Sequence, residues 1–147
     1  KKSLVYSVSM GIRSYRDTGK MTIYSEFSSK NTQKVIEEIA AVIKCIKTRG
    51  VTAEQLRRAK QNCAGKFMLH LDSANGIAEN VAHEELFMGG SMAPDEYMRG
   101  IQRVTNRDLM QLARETFTPE NCSIAIVGPL DPKEYEQKIV DLVQSKL

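Results

Sequence analysis

Apolar residues recur along the chain with two different periods, and the change from one to the other marks its main division. Up to Phe27 the period is two. Leu4, Tyr6, Val8, Met10 and Ile12 fall on one face, alternating with Val5, Ser7, Ser9, Gly11 and Arg13. Arg16-Asp17-Thr18-Gly19 supplies a turn, after which Met21, Ile23, Ser25 and Phe27 alternate with Thr22, Tyr24 and Glu26. Strand, glycine-containing turn and strand predict an antiparallel hairpin.

From Asn31 the period becomes 3.6. Val35, Ile36, Ile39, Val42, Ile43 and Ile46 form one stripe, with Asn31 as N-cap and Gly50 as the left-handed stop. Thr52 opens a second helix through a capping box with Gln55, and its inward face is Leu56, Ala59, Cys63, Phe67 and Leu71. Ser73 starts a third, with Ile77, Val81, Ala82 and Leu86 inward and Gly89-Gly90 as its end. Pro94 suits the first turn of a fourth that carries Tyr97, Met98 and Ile101. Thr105 caps a fifth. Cys122 to Val127 then reads as a continuous apolar strand between Asn121 and Gly128. Asp131 and Pro132 begin a last helix, with Ile139, Leu142 and Val143 buried. Two strands, five helices, a strand and a helix make an α+β domain: an antiparallel hairpin plus a third strand in one sheet, packed against several helices.

Composition narrows the class without naming a chemistry. At 147 residues and 41% hydrophobic the chain fits a single domain, 1–147, and is far from disordered or collagen-like composition. Its 21 basic and 18 acidic side chains leave a net charge of +3, too small to imply a nucleic-acid partner. No apolar run approaches the ~20 residues of a membrane span, and the start has no signal-peptide pattern. Cys45, Cys63 and Cys122 are an odd set without metal-ligand spacing, which favours a reduced, cytoplasmic setting and a role as small apolar filler.

Candidate chemistry is sparse. His70 and His83 lie on different predicted helices. His83-Glu84-Glu85-Leu86-Phe87 starts like HExxH, but Phe87 stands where the second His belongs, and HxxEH is absent. Both histidines therefore read as surface or interface residues, and no metal ligand is assigned. The chain has neither a Gly-x-Ser-x-Gly elbow nor a phosphate-binding glycine loop. Arg57-Arg58-Ala59-Lys60 lacks interleaved aromatics and reads as the solvated face of the second helix.

Seven segments, taken in order, carry a resemblance. Lys1 to Val8 resembles the "LREKxGLxYSV" strand of the pitrilysin/insulinase family of zinc peptidases, which includes the mitochondrial processing peptidases. Tyr15-Arg16-Asp17-Thr18-Gly19 with Thr22-Ile23-Tyr24 is similar to that family's next hairpin, and Gly50 to Lys60 to its "GVTEEELxxAK" helix start. Glu84 to Gly89 resembles "ELFxG". Val104 to Leu109, Phe117 to Asn121 and Val127-Gly128-Pro129 resemble the closing stretch of the same domain. The likeness covers nearly the whole chain.

The resemblance implies the later part of a zinc-free second domain, with upstream strands before Lys1. It implies zinc, bound through HxxEH, in a companion domain or subunit, and no cofactor in this chain. Tyr6 matches the family's substrate-binding Tyr, while the Arg seven residues earlier would precede Lys1, and Ser3 stands where a Gly is usual. The expected function is that of the substrate-binding domain of a metalloendopeptidase acting on peptides or presequences. The alternative is a non-catalytic scaffold or peptide-binding subunit of the same fold. The chain alone is expected to be inactive. Its expected partners are the zinc-bearing domain, a polypeptide substrate and further copies of itself, with neither nucleic acid nor membrane among them. The bacterial cytoplasm is the expected compartment, the mitochondrial matrix the alternative.

Overall fold

A computed structural model describes residues 4–146. It contains the strands β1 (Ser7–Ser14) and β2 (Gly19–Glu26) and the helices α1 (Thr32–Arg49), α2 (Ala53–His70), α3 (Ala74–Met88), α4 (Pro94–Arg103), α5 (Asn106–Thr116) and α6 (Pro132–Lys146). The hairpin and all six helices stand where the periods place them, so the α+β class holds. The third strand does not form. Among the described residues the sheet has two strands, β1 and β2, and 122–127 is extended chain outside any ladder. Apolar content makes a segment fit for a sheet, but a strand exists only when a neighbour takes its N–H and C=O groups. No described strand lies beside this one.

The chain divides into two compact units. The first contains the base of the hairpin, α1, the chain from Arg107 onward and α6. Its core lies on α1, where Thr32, Val35, Ala40 and Ile43 are buried, together with Ala113 of α5. Val35 and Ile43 belong to the predicted stripe, whereas Thr32 and Ala40 lie outside it and Val42, a stripe position, is exposed. Asn31 occupies the N-cap position without capping. Its Nδ2 donates instead to the carbonyl of Leu4 at 3.1 Å, joining the helix start to the strand entry. At the other end Gly50 adopts φ 70° and ψ −153°, a conformation that a Cβ would forbid. Lys47 Nζ donates to the Phe117 carbonyl at 2.7 Å and Arg114 Nε to the Lys47 carbonyl at 2.8 Å, tying α1 to the end of α5.

The second unit contains the hairpin tip and Val51–Asn106. The capping box forms as read: Gln55 N–H donates to Thr52 Oγ1 at 3.2 Å and Thr52 N–H to Gln55 Oε1 at 2.8 Å. Phe67 is buried against Tyr97 of α4, ring centroids 4.0 Å apart, and Lys60 Nζ donates to the Gln102 carbonyl at 2.6 Å. Gly76 lies so close to the turn after α2 that a Cβ there would overlap the carbonyl oxygen of His70. Two predicted faces need correction. Ala59 and Cys63 on α2, and Ile77, Val81, Ala82 and Leu86 on α3, are exposed. Helical spacing fixes which side of a helix is apolar; it does not supply the element that covers that side. Instead α3 buries Gly76 and Glu84, whose carboxylate accepts the Met92 N–H at 2.8 Å and closes the turn after the helix.

Candidate functional site

Tyr6 enters β1 at the base of the hairpin, and its side chain is 80% exposed. The backbone there is tightly held. Tyr6 N–H donates to the Glu26 carbonyl at 2.7 Å, Ser25 Oγ to the Ser7 carbonyl at 3.0 Å, and the Leu4 carbonyl takes the Asn31 amide. One carboxylate gathers the hydroxyls: Ser7 Oγ donates to Glu26 Oε2 and Tyr24 OH to Glu26 Oε1, each at 3.0 Å. The hydrogen bond from Tyr24 and the adjacent negative charge of Glu26 together raise the Tyr24 phenol above its ordinary value. The result is an exposed Tyr6 phenol on a backbone pinned from both strands. A phenol so placed can donate one hydrogen bond to an oxygen that gains charge.

Sequence reasoning identified Tyr6 through the resemblance but missed the cluster beside it. The available signal was the alternation, which places Tyr24 and Glu26 on one face of β2. A carboxylate next to two hydroxyl-bearing residues on such a face is a candidate brace.

His70 and His83 are exposed, the latter with its ring 4.8 Å from that of Phe87. No three His, Cys, Asp or Glu side chains among the described residues come together as a metal site, so the donor set present here does not fit zinc. Cys45 and Cys122 are half-buried, and Cys63 is exposed, which corrects its reading as core filler. Arg57 bonds Gln61 at 3.0 Å and lies 3.6 Å from Glu54 along its own helix, on a solvated face. No helix among the described residues is long and apolar enough to cross a membrane.

Residues 1–63 match the family model described as the Peptidase M16 inactive domain. The chain is 31% identical over 128 residues to the uncharacterized zinc protease YmxG of Bacillus subtilis, covering 87% of this chain and 31% of that protein. It is 25% identical over 117 residues to the mitochondrial-processing peptidase subunit beta of Saccharomyces cerevisiae, covering 78% and 25% respectively. It is 24% identical over 134 residues to the uncharacterized zinc protease SCO5738 of Streptomyces coelicolor, covering 91% and 29%. The chain thus spans about a third or less of the length of these relatives.

Proposed function

Because the chain belongs to the pitrilysin/insulinase family of zinc peptidases, and within it to the inactive domain, we propose that it serves as the substrate-binding domain of a metalloendopeptidase. In this reading a companion domain or subunit of the same family supplies the zinc, and a polypeptide lies between the two. Tyr6 is the residue of this chain that touches the substrate. Its hydroxyl donates to the peptide carbonyl oxygen as that oxygen gains negative charge, a contact worth more in the transition state than in the ground state. The single observation that supports this role is the 80% exposed phenol on a backbone held at 2.7 Å to Glu26. The wide exposure of β1 also supports association of the chain with copies of itself.

The test uses the zinc-loaded full-length protein and a fluorogenic peptide. Tyr6→Phe should lower kcat/KM by ~10–100-fold, as for one lost hydrogen bond of ~1.5–3 kcal/mol, mainly through kcat. The ring is kept, so the melting temperature should not move. Unchanged kinetics would remove Tyr6 from the site.

A further inference from the structure

Tyr6 stands one residue ahead of β1, which begins at Ser7, so the regular ladder does not by itself fix its backbone. Strand ends fray unless something else holds them. The Tyr6 ring is largely exposed in this chain, so the peptide groups around it, and not packing, set where the phenol lies. Side chains hold two of those groups. Asn31 Nδ2 donates to the Leu4 carbonyl at 3.1 Å, two residues before Tyr6. Ser25 Oγ donates to the Ser7 carbonyl at 3.0 Å, one residue after it.

The bond from Asn31 is unusual for its place. An Asn at the start of a helix ordinarily turns its side-chain oxygen onto an N–H of the first turn. Asn31 stands at the N-cap of α1 and makes no such bond. A carbonyl oxygen only accepts, so the amide nitrogen must be the atom that faces Leu4. The turn that carries Asn31 is itself fixed. Thr32 is 1% exposed and its Oγ1 donates to the Ser29 carbonyl at 2.6 Å, while the Asn31 N–H donates to the Ser28 carbonyl at 2.8 Å. The start of α1 is thus a firm arm whose amide is directed at the strand entry and not at its own helix.

We propose that Asn31 and Ser25 are positioning residues for Tyr6. By holding the carbonyls on either side of it, they keep the phenol where it meets a peptide oxygen that gains charge. Orientation of this kind acts on kcat more than on substrate binding. The assignment rests on the substrate contact of Tyr6 proposed above, and neither residue touches the substrate itself.

Asn31→Asp separates positioning from stability. The carboxylate cannot donate to Leu4, yet Asp is as good an N-cap as Asn and suits the positive end of a helix. In the zinc-loaded full-length protein it should lower kcat by roughly three- to tenfold, with KM and melting temperature kept. Amide exchange over Leu4 to Val8, read by mass spectrometry, should quicken while that of α1 does not. Ser25→Ala removes the other anchor and should act in the same direction. On a Tyr6→Phe background neither change should lower kcat further. If Tyr6→Phe is silent, the substrate contact falls and this assignment falls with it. If Tyr6→Phe lowers kcat but either variant leaves it at the parent value, the contact stands and that residue's positioning role is overturned. Losses that multiply with that of Tyr6→Phe, or exchange over Leu4 to Val8 that stays as slow as in the parent, would overturn it equally. Should Asn31→Asp fail to fold, the kinetics and exchange of Ser25→Ala decide.

Discussion

At the base of the hairpin the Glu26 carboxylate takes two hydroxyl protons, and this has a measurable consequence at its neighbour. Tyr24 titrates above the usual tyrosine value of about 10, because losing its proton would break a hydrogen bond and place two negative charges side by side. The neutral phenol is therefore the form the fold favours. Its contribution to stability is fully present below the unfolded value and is lost as pH rises through the higher folded one. Glu26→Gln should return the Tyr24 midpoint toward the ordinary value, as read by NMR titration of labelled tyrosines. An unmoved midpoint would place the cause elsewhere. Glu120 shifts the opposite way: its own backbone N–H and the Thr118 hydroxyl favour the ionised carboxylate. Its contribution is present above the unfolded value and lost as pH falls through the lower folded one. Neither effect was legible in the sequence. Alternation tells which residues share a strand face, but not which hydroxyl turns toward which carboxylate.

Among the elements, the helix ends were the most legible part of the chain, because a cap is a local device. Thr52 and Gln55 stand three residues apart and satisfy each other's neighbouring N–H groups with no help from the rest of the fold. Thr52→Ala should therefore cost about 1 kcal/mol and lower the melting temperature by a few degrees. The Ser73 cap behaves likewise, its hydroxyl taking the Gly76 N–H at 3.0 Å. Gly76 itself was not legible. Its need for a bare Cα arises from the approach of the His70 carbonyl across the corner between α2 and α3, a tertiary fact with no spacing rule. Gly76→Ala should destabilise more than the cap change, by over ~2 kcal/mol, because the obstructing atom is backbone and cannot rotate away. Equal melting temperatures for Gly76→Ala and the parent would show that this corner opens freely. The same distinction explains α3, whose stripe was read correctly as apolar and wrongly as buried.

For the molecule as a whole, the order of elements followed from the sequence, but the distribution of core did not. The first unit buries four positions of α1 and one of α5, whereas the second buries Phe67 on α2 with Gly76 and Glu84 on α3. Ile77, Val81 and Leu86, which the pattern assigns to a core, remain in water. Local stability follows buried apolar contact, so the two units should not open together. Hydrogen exchange of the monomer, followed as denaturant is raised within the native range, should show α3 and the chain up to Met92 exchanging first. The amides around Val35, Ala40 and Ile43 should be the last to exchange. Unfolding followed by far-ultraviolet circular dichroism and by a probe on α3 should accordingly give two midpoints, with the α3 probe at the lower denaturant concentration. One coincident transition from both probes, with uniform exchange along α1 and α3, would mean that the exposed stripe on α3 is held as firmly as the buried one on α1. Buried area would then no longer account for the stability of this chain.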